Sequence, residues 1–285
     1  MTVVITALVG ALAFGFSGTL FKHPGHTGES EFRFLLSLYL AGTLALALCW
    51  FLSREALAFS LRDVASAAVI AASLAVGNLA LVRALKLGPA GITYPIVNTH
   101  LMLLVLVGYL YYGERLAPQQ LIGIALVTIA VVGIAIDLRD LNTVKRLDTW
   151  IYLVLTAFLA LGLRNGYLKE ALPAQSSPEG VLTASYAGAL LLTALLAPES
   201  RSGMIWSAMI FSRAGAAAGV LSALGFWLYA SALRNGALSV AAPIFGTYTL
   251  FAILGARLLY DERLNRWQLG FALLCIFGIY VVGSA

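Results

Sequence analysis

Hydrophobic residues in this chain run in long stretches separated by short polar ones. Residues 3–21 (VVITALVGALAFGFSGTLF) contain no charge, and further apolar runs follow at about 32–52, 63–82, 91–112, 118–136, 150–168, 180–197, 214–233, 239–260 and 266–284. Each approaches the roughly 20 residues that a helix, rising about 1.5 Å per residue, needs to cross a hydrocarbon core about 30 Å thick. None alternates with the period of two expected of a barrel strand, and a helix satisfies its own backbone hydrogen bonds in lipid. The pattern predicts ten membrane-spanning helices. Gly and Pro punctuate the connections, as in LKLGPAG at 85–91 and ALPAQSSPEG at 171–180. The first run lacks a basic start and a small-residue cleavage pattern, so it is expected to be a retained helix.

Composition agrees with that reading. The chain is 61% hydrophobic and 11% charged with a mean hydropathy of +0.91, well outside the range of soluble globular proteins. A net charge of +5 would suit nucleic acid, but the 18 lysines and arginines are spread over the connections and form no block. They read as topology signals, and no nucleic-acid partner is expected. Two thirds of them fall in the odd-numbered connections, among them Lys22, Arg33, Arg83, Lys86, Arg139 and Arg213. The positive-inside rule then places those connections in the cytoplasm and both termini outside. Cys49 and Cys275 each lie inside an apolar run and read as packing residues rather than as a disulfide or metal framework.

A repeat underlies the pattern. YGERL at 112–116 returns as YDERL at 260–264, and residues 84–121 align with 232–269 without a gap. The alignment pairs Gly88 with Gly236, Pro95 with Pro243, Thr99 with Thr247, Glu114 with Glu262, Arg115 with Arg263 and Gln120 with Gln268. One deletion later Gly123 meets Gly270, and upstream Gly15 lies opposite Gly162 and Lys22 opposite Lys169. The two copies of ERL follow the fourth and ninth runs, so an odd number of crossings separates them. The halves, 1–137 and 138–285, are therefore expected to be inverted five-helix repeats around a central cavity, an architecture suited to alternating access.

Ala84, Leu85, Gly88, Pro95, then Glu114, Arg115, Leu116, Gln120 and Gly123, with their echo in the second half, resemble the ten-helix EamA-type branch of the drug/metabolite transporter superfamily. The resemblance spans the chain as five plus five helices and specifies a scaffold rather than a substrate. It implies a carrier of small metabolites, amino acids among them, with no enzymatic activity. It also implies cytoplasmic termini, the opposite of the charge count. Small multidrug-resistance relatives carry a glutamate in the first helix for proton exchange, whereas Phe14, Gly15, Phe16, Ser17 and Gly18 here include no acid.

Without a phosphate-binding loop or room for a nucleotide-binding domain, uphill transport would draw on a gradient, with a proton gradient as the candidate. Ionisable and polar residues within spans then become candidate site residues, because burying them in lipid is costly. Arg164, well inside the sixth run with Leu161, Ala160 and Ala157 on its face, is the first candidate; a snorkelling anchor is the competing reading. Ser17, its counterpart in the first run, is flanked by Phe14 and Phe21. A guanidinium facing a hydroxyl among aromatic rings suits a carboxylate with an apolar body. Asn78, Tyr94, Asn98, Trp227, Tyr229 and Tyr248 are further candidates for lining the substrate site, and His100 is the candidate proton carrier. Glu114, Arg115, Glu262 and Arg263 are read as loop caps or ion pairs.

Two other chemistries fit parts of the sequence. GFSG at 15–18 resembles the nucleophile motif of rhomboid-type intramembrane proteases, with Ser17 as nucleophile and His100 as base. His23 and His26 with Glu29 or Glu31 form an incomplete metal set, and the same acids would suit an organic cation or quaternary amine. The expected partners are a small-molecule substrate and the lipid bilayer of a bacterial inner membrane. No metal or cofactor is expected, and the expected assembly is a monomer or weak dimer.

Overall fold

A computed structural model describes residues 2–53, 60–135, 144, 146–171, 177–197, 211–260 and 266–283. Every regular element among them is an α-helix. In chain order these are α1 (Thr2–Leu20), α2 (His23–Thr27), α3 (Glu31–Ser53), α4 (Leu61–Leu87), α5 (Ala90–Asn98), α6 (His100–Leu110), α7 (Pro118–Ala135), α8 (Leu147–Glu170), α9 (Pro178–Leu196), α10 (Arg213–Asn235), α11 (Leu238–Gly246), α12 (Tyr248–Tyr260) and α13 (Arg266–Gly283). The boundary drawn between residues 137 and 138 lies outside the described residues, as do Glu262 and Arg263 of the second ERL.

Local sequence explains where the helices begin. Ser60 caps α4 in a reciprocal box with Asp63, while the hydroxyls of Ser177 and Ser212 accept from Gly180 N at 3.2 Å and Gly215 N at 3.0 Å to open α9 and α10. Among the described residues eight spans are long and apolar enough to cross a bilayer, counting α1–α2, α5–α6 and α11–α12 as one each; Pro118–Ala130 of α7 and Leu269–Val282 of α13 are shorter apolar segments. Large apolar side chains such as Leu48, Leu155, Leu159, Leu195 and Phe277 point outward, an arrangement that lipid stabilises and water would not.

The fourth and ninth runs differ from their expected form: each is two helices. α5 ends at Asn98 and α6 restarts at His100; α11 ends at Gly246 and α12 restarts at Tyr248. The cause recurs in both copies. Pro95 and Pro243 lack an amide hydrogen and crowd the preceding turn, and four residues later Thr99 and Thr247 turn their hydroxyls onto the carbonyls of Ile96 (2.6 Å) and Ile244 (2.7 Å).

The halves interlock with exchanged partners. α1 packs on α10 and α8 on α4; α3 packs on α10 and α9 on α4; α1 meets α12 while α8 meets α6. Glycines set these close approaches. A Cβ on Gly225 of α10 would meet Phe14 of α1 at 2.8 Å, and one on Gly77 of α4 would meet Leu161 of α8 at 2.7 Å. In the register of the repeat Gly77 corresponds to Gly225 and Leu161 to Phe14. Gly88 against Trp150 and Gly236 against Val3 form a second exchanged pair, and Gly162 against His100 with Gly15 against Tyr248 a third. Small residues thus let helix backbones approach where lipid provides no hydrophobic drive for association. α7 and α13 pack on each other around a second small cluster of Val127, Ala130 and Cys275, which also takes in Leu250 and Ile253 of α12.

Candidate functional site

α8 carries Arg164 into the centre of the bundle, where it is 1% exposed; it is not a snorkelling anchor. Its Nε donates to Oδ1 of Asn165 at 3.0 Å. Asn165, itself fully buried, turns its amide nitrogen to Nε2 of His100 at 2.8 Å, and Nδ1 of His100 meets the Val97 carbonyl at 2.6 Å. These three bonds fix one another. Asn165 spends its oxygen on the guanidinium, so its NH₂ must donate to His100, whose other nitrogen then carries the hydrogen given to Val97. The imidazole is held as the neutral Nδ1–H tautomer.

Aromatic rings surround the guanidinium. Its carbon stands 4.5 Å from the ring centroid of Phe226 and 5.4 Å from that of Phe14, in cation–π geometry. Phe14 in turn contacts Phe245 and Tyr248 at centroid distances of 5.3 and 4.9 Å, and Tyr229 stacks on Phe245 at 4.1 Å. Tyr39 and Tyr186 pack edge-to-face at a centroid distance of 6.0 Å. Two polar atoms in this centre have no hydrogen-bond partner among the described residues: Nη2 of Arg164 and the hydroxyl of Tyr229.

The remaining candidates sort by what they touch. Tyr248 donates its hydroxyl to Oδ1 of Asn98, whose amide donates to Thr249 at 2.7 Å, so Asn98 ties α5 to α12 between the two helix breaks. Asn78 donates to the Tyr39 hydroxyl at 3.0 Å, which donates to the Leu74 carbonyl at 2.8 Å. Tyr94 reaches across to the Gly18 carbonyl. Ser17 does not present its hydroxyl to Arg164: it donates to the Ala218 carbonyl at 2.8 Å and ties α1 to α10. Trp227 turns from the centre and donates to Glu179 at 2.6 Å; its neighbour Phe226 occupies the place against the guanidinium. Ser17 and His100 thus have other hydrogen-bond partners and form no nucleophile–base pair.

Residues that sequence reading missed are Asn165, Phe226, Phe245, Tyr39 and Tyr186. Asn165 had a signal, a second polar residue beside an arginine inside an apolar run. Phe226 had none, since nothing in FWLY at 226–229 says which ring faces inward.

Ion pairs close the two ends of the bundle. At one end the Glu114 carboxylate accepts from the backbone of Leu238 (2.7 Å) and Ser239 (2.9 Å) and from the Ser239 hydroxyl, capping α11, while Lys169 at the end of α8 pairs with it. Burial by itself would raise the pKa of Glu114, but the bonds from Lys169, Ser239 and Leu238 outweigh it and hold the carboxyl below its ordinary value. Arg62 pairs with Glu170 beside it at 2.7 Å. At the other end Glu31 is shared by Arg83 and Lys86, and Glu29 lies near Arg33 at 3.3 Å and accepts from Ser212 at 3.0 Å. An open cleft of about 580 Å³ lies there, lined by His23, Glu29, Arg33, Ser212 and Arg213. Among the described residues no group of three or more His, Cys, Asp or Glu is placed to hold a metal.

The EamA-like transporter family matches this chain twice, over residues 1–136 and again over 148–284. No curated protein sequence matches it. One solved crystal structure matches 98% of this chain with 98% of its own at a TM-score of 0.70 and 15% identity, a likeness of fold. With both halves matched along nearly their whole length, the chain belongs to the EamA-like transporter family, within the drug/metabolite transporter superfamily, and is an integral membrane protein.

Proposed function

We propose that the protein is a secondary transporter of small amphipathic metabolites bearing a carboxylate, the class that includes amino acids, and that Arg164 anchors the carboxylate. The observation that carries this reading is a fully buried guanidinium with an unpartnered Nη2 among aromatic rings. A buried cation that lacks a carboxylate partner costs several kcal/mol, on the order of what a substrate carboxylate would offset. Alternating access between inverted halves is the mechanism that the exchanged contacts favour. If the pairs Gly77–Leu161 and Gly225–Phe14 are alternatives of one interaction, loosening one while tightening the other opens one end and closes the other. Organic cations fit less well, because the central charge is positive and Glu29 and Glu31 are already engaged by basic side chains.

Counterflow in proteoliposomes with labelled amino acids, organic acids and quaternary amines tests the reading. Carboxylates should exchange, and Arg164→Ala should abolish exchange while leaving expression and monodispersity intact. Unaltered kinetics in that variant would remove Arg164 from the site.

A further inference from the structure

The charge balance of the centre points to a narrower substrate class. We infer that the Arg164 site selects apolar monocarboxylates of net charge −1 over zwitterionic amino acids of the same skeleton. The inference rests on the reading of Arg164 as the carboxylate anchor.

Three observations carry it. First, acids among the described residues are engaged near helix ends: Glu29 and Glu31 with Arg33, Arg83 and Lys86, Glu114 with Lys169, Glu170 with Arg62, and Glu179 with Trp227. None of them forms an ion pair with Arg164, so the centre carries one positive charge that a monoanion neutralises and a zwitterion does not.

Second, Arg164 Nη2 and the Tyr229 hydroxyl, which have no hydrogen-bond partner among the described residues, can both donate, and carboxylate oxygens accept. Third, the side-chain acceptors around them are occupied. Asn165 Oδ1 receives Arg164, His100 Nε2 receives Asn165, Asn98 Oδ1 receives Tyr248, and the Tyr39 hydroxyl receives Asn78. An α-ammonium brought into this centre would lose its hydration, find those amide, imidazole and Tyr39 acceptors taken with the Tyr229 oxygen left to it, and lie near a guanidinium. The substrate's apolar body meets no such penalty against Phe14, Phe245 and Tyr248.

A matched series tests this on the full-length protein in proteoliposomes: 3-phenylpropanoate, phenylalanine and 2-phenylethylammonium, compared by competition in counterflow at pH 7. The monocarboxylate should compete about tenfold or more better than phenylalanine, equivalent to about 1.4 kcal/mol, and the amine should not compete. Tyr229→Phe should weaken the monocarboxylate several-fold and narrow its lead. Phenylalanine competing as well as or better than 3-phenylpropanoate would overturn the inference and leave the carboxylate transporter standing. Failure of every carboxylate to exchange, with Arg164→Ala indistinguishable from wild type, would overturn the transport reading and the inference with it.

Discussion

Asn165 gives its side-chain amide to Nε2 of His100 at 2.8 Å, joining α8 to α6 beside the buried guanidinium. Protonating His100 on that nitrogen would set two donors against each other. Turning the Asn165 amide to relieve this would only move the conflict to Arg164 Nε. We propose that His100 acts in its neutral form to position Asn165, rather than as the proton carrier. His100→Gln can accept from Asn165 and donate to Val97, so it should keep the wild-type pH profile of transport between pH 5.5 and 8. His100→Ala strands the Asn165 donor and should lower stability by about 1–3 kcal/mol in denaturant or thermal unfolding. A pH profile flattened only in the Gln variant would instead make His100 the proton carrier.

The exchanged glycine contacts predict unequal costs at corresponding positions. A methyl on Gly225 would meet the Gly10 carbonyl oxygen and the Phe14 backbone nitrogen, each at 2.8 Å, which cannot yield without moving α1. A methyl on Gly77 meets Cδ2 and Cγ of Leu161 at 2.7 and 2.9 Å and Cβ of Ala160 at 3.2 Å, side-chain atoms that yield more readily than backbone. Gly225→Ala should lower stability by about 1–3 kcal/mol and Gly77→Ala by less. Gly270→Ala, with open space around it, should be neutral or slightly stabilising through helix propensity. Thermal unfolding in detergent of the three variants checks the order.

The same comparison shows what the sequence made legible. The positions of the apolar helices followed from hydropathy and the doubling of the family match from internal identity, because both are carried by the chain's own local pattern, whereas that pattern left Arg164 open to a buried or a snorkelling placement. The breaks at Thr99 and Thr247 were marked by Pro95 and Pro243 yet were read as continuous spans, since a proline within an apolar run is compatible with a kinked or a broken helix. Which side chains face Arg164 was not legible. Ser17 turned to the Ala218 carbonyl and Phe226 displaced Trp227, and both outcomes depend on the rotation of α1 against α10, which glycine contacts set across the fold.

The bridge between the two helix breaks yields another test. Asn98 is 1% exposed and has its oxygen satisfied by the Tyr248 hydroxyl and its amide by Thr249. Tyr248→Phe keeps the ring against Phe14 and Phe245 but leaves the Asn98 oxygen unpaired, at a cost of about 1–3 kcal/mol. Stability should fall by that amount, and Asn98→Ala added to Tyr248→Phe should cost less than the sum of the two single changes. Strict additivity would show that the bond contributes nothing.

Glu114 controls the other contact between the halves, and its pH dependence has a definite sign. Its carboxyl is held below the ordinary value of 4.5, so its contribution is present in full above that pH and is lost as pH falls through the lower, folded-state value. The contribution combines the Lys169 pair with the capping of α11 through Leu238 and Ser239. Glu114→Gln removes the charge and one acceptor, and a charge at a helix N-terminus is worth about 0.3–1 kcal/mol, rising to about 2 where partly buried. Hydrogen exchange at the amides of Leu238 and Ser239 should quicken in the variant at pH 6. The stability gap between wild type and variant should shrink as pH is lowered below 4.5, because protonating the wild type reproduces the neutral side chain. A gap that stayed constant from pH 6 to pH 3 would mean that the carboxylate acts there through shape alone.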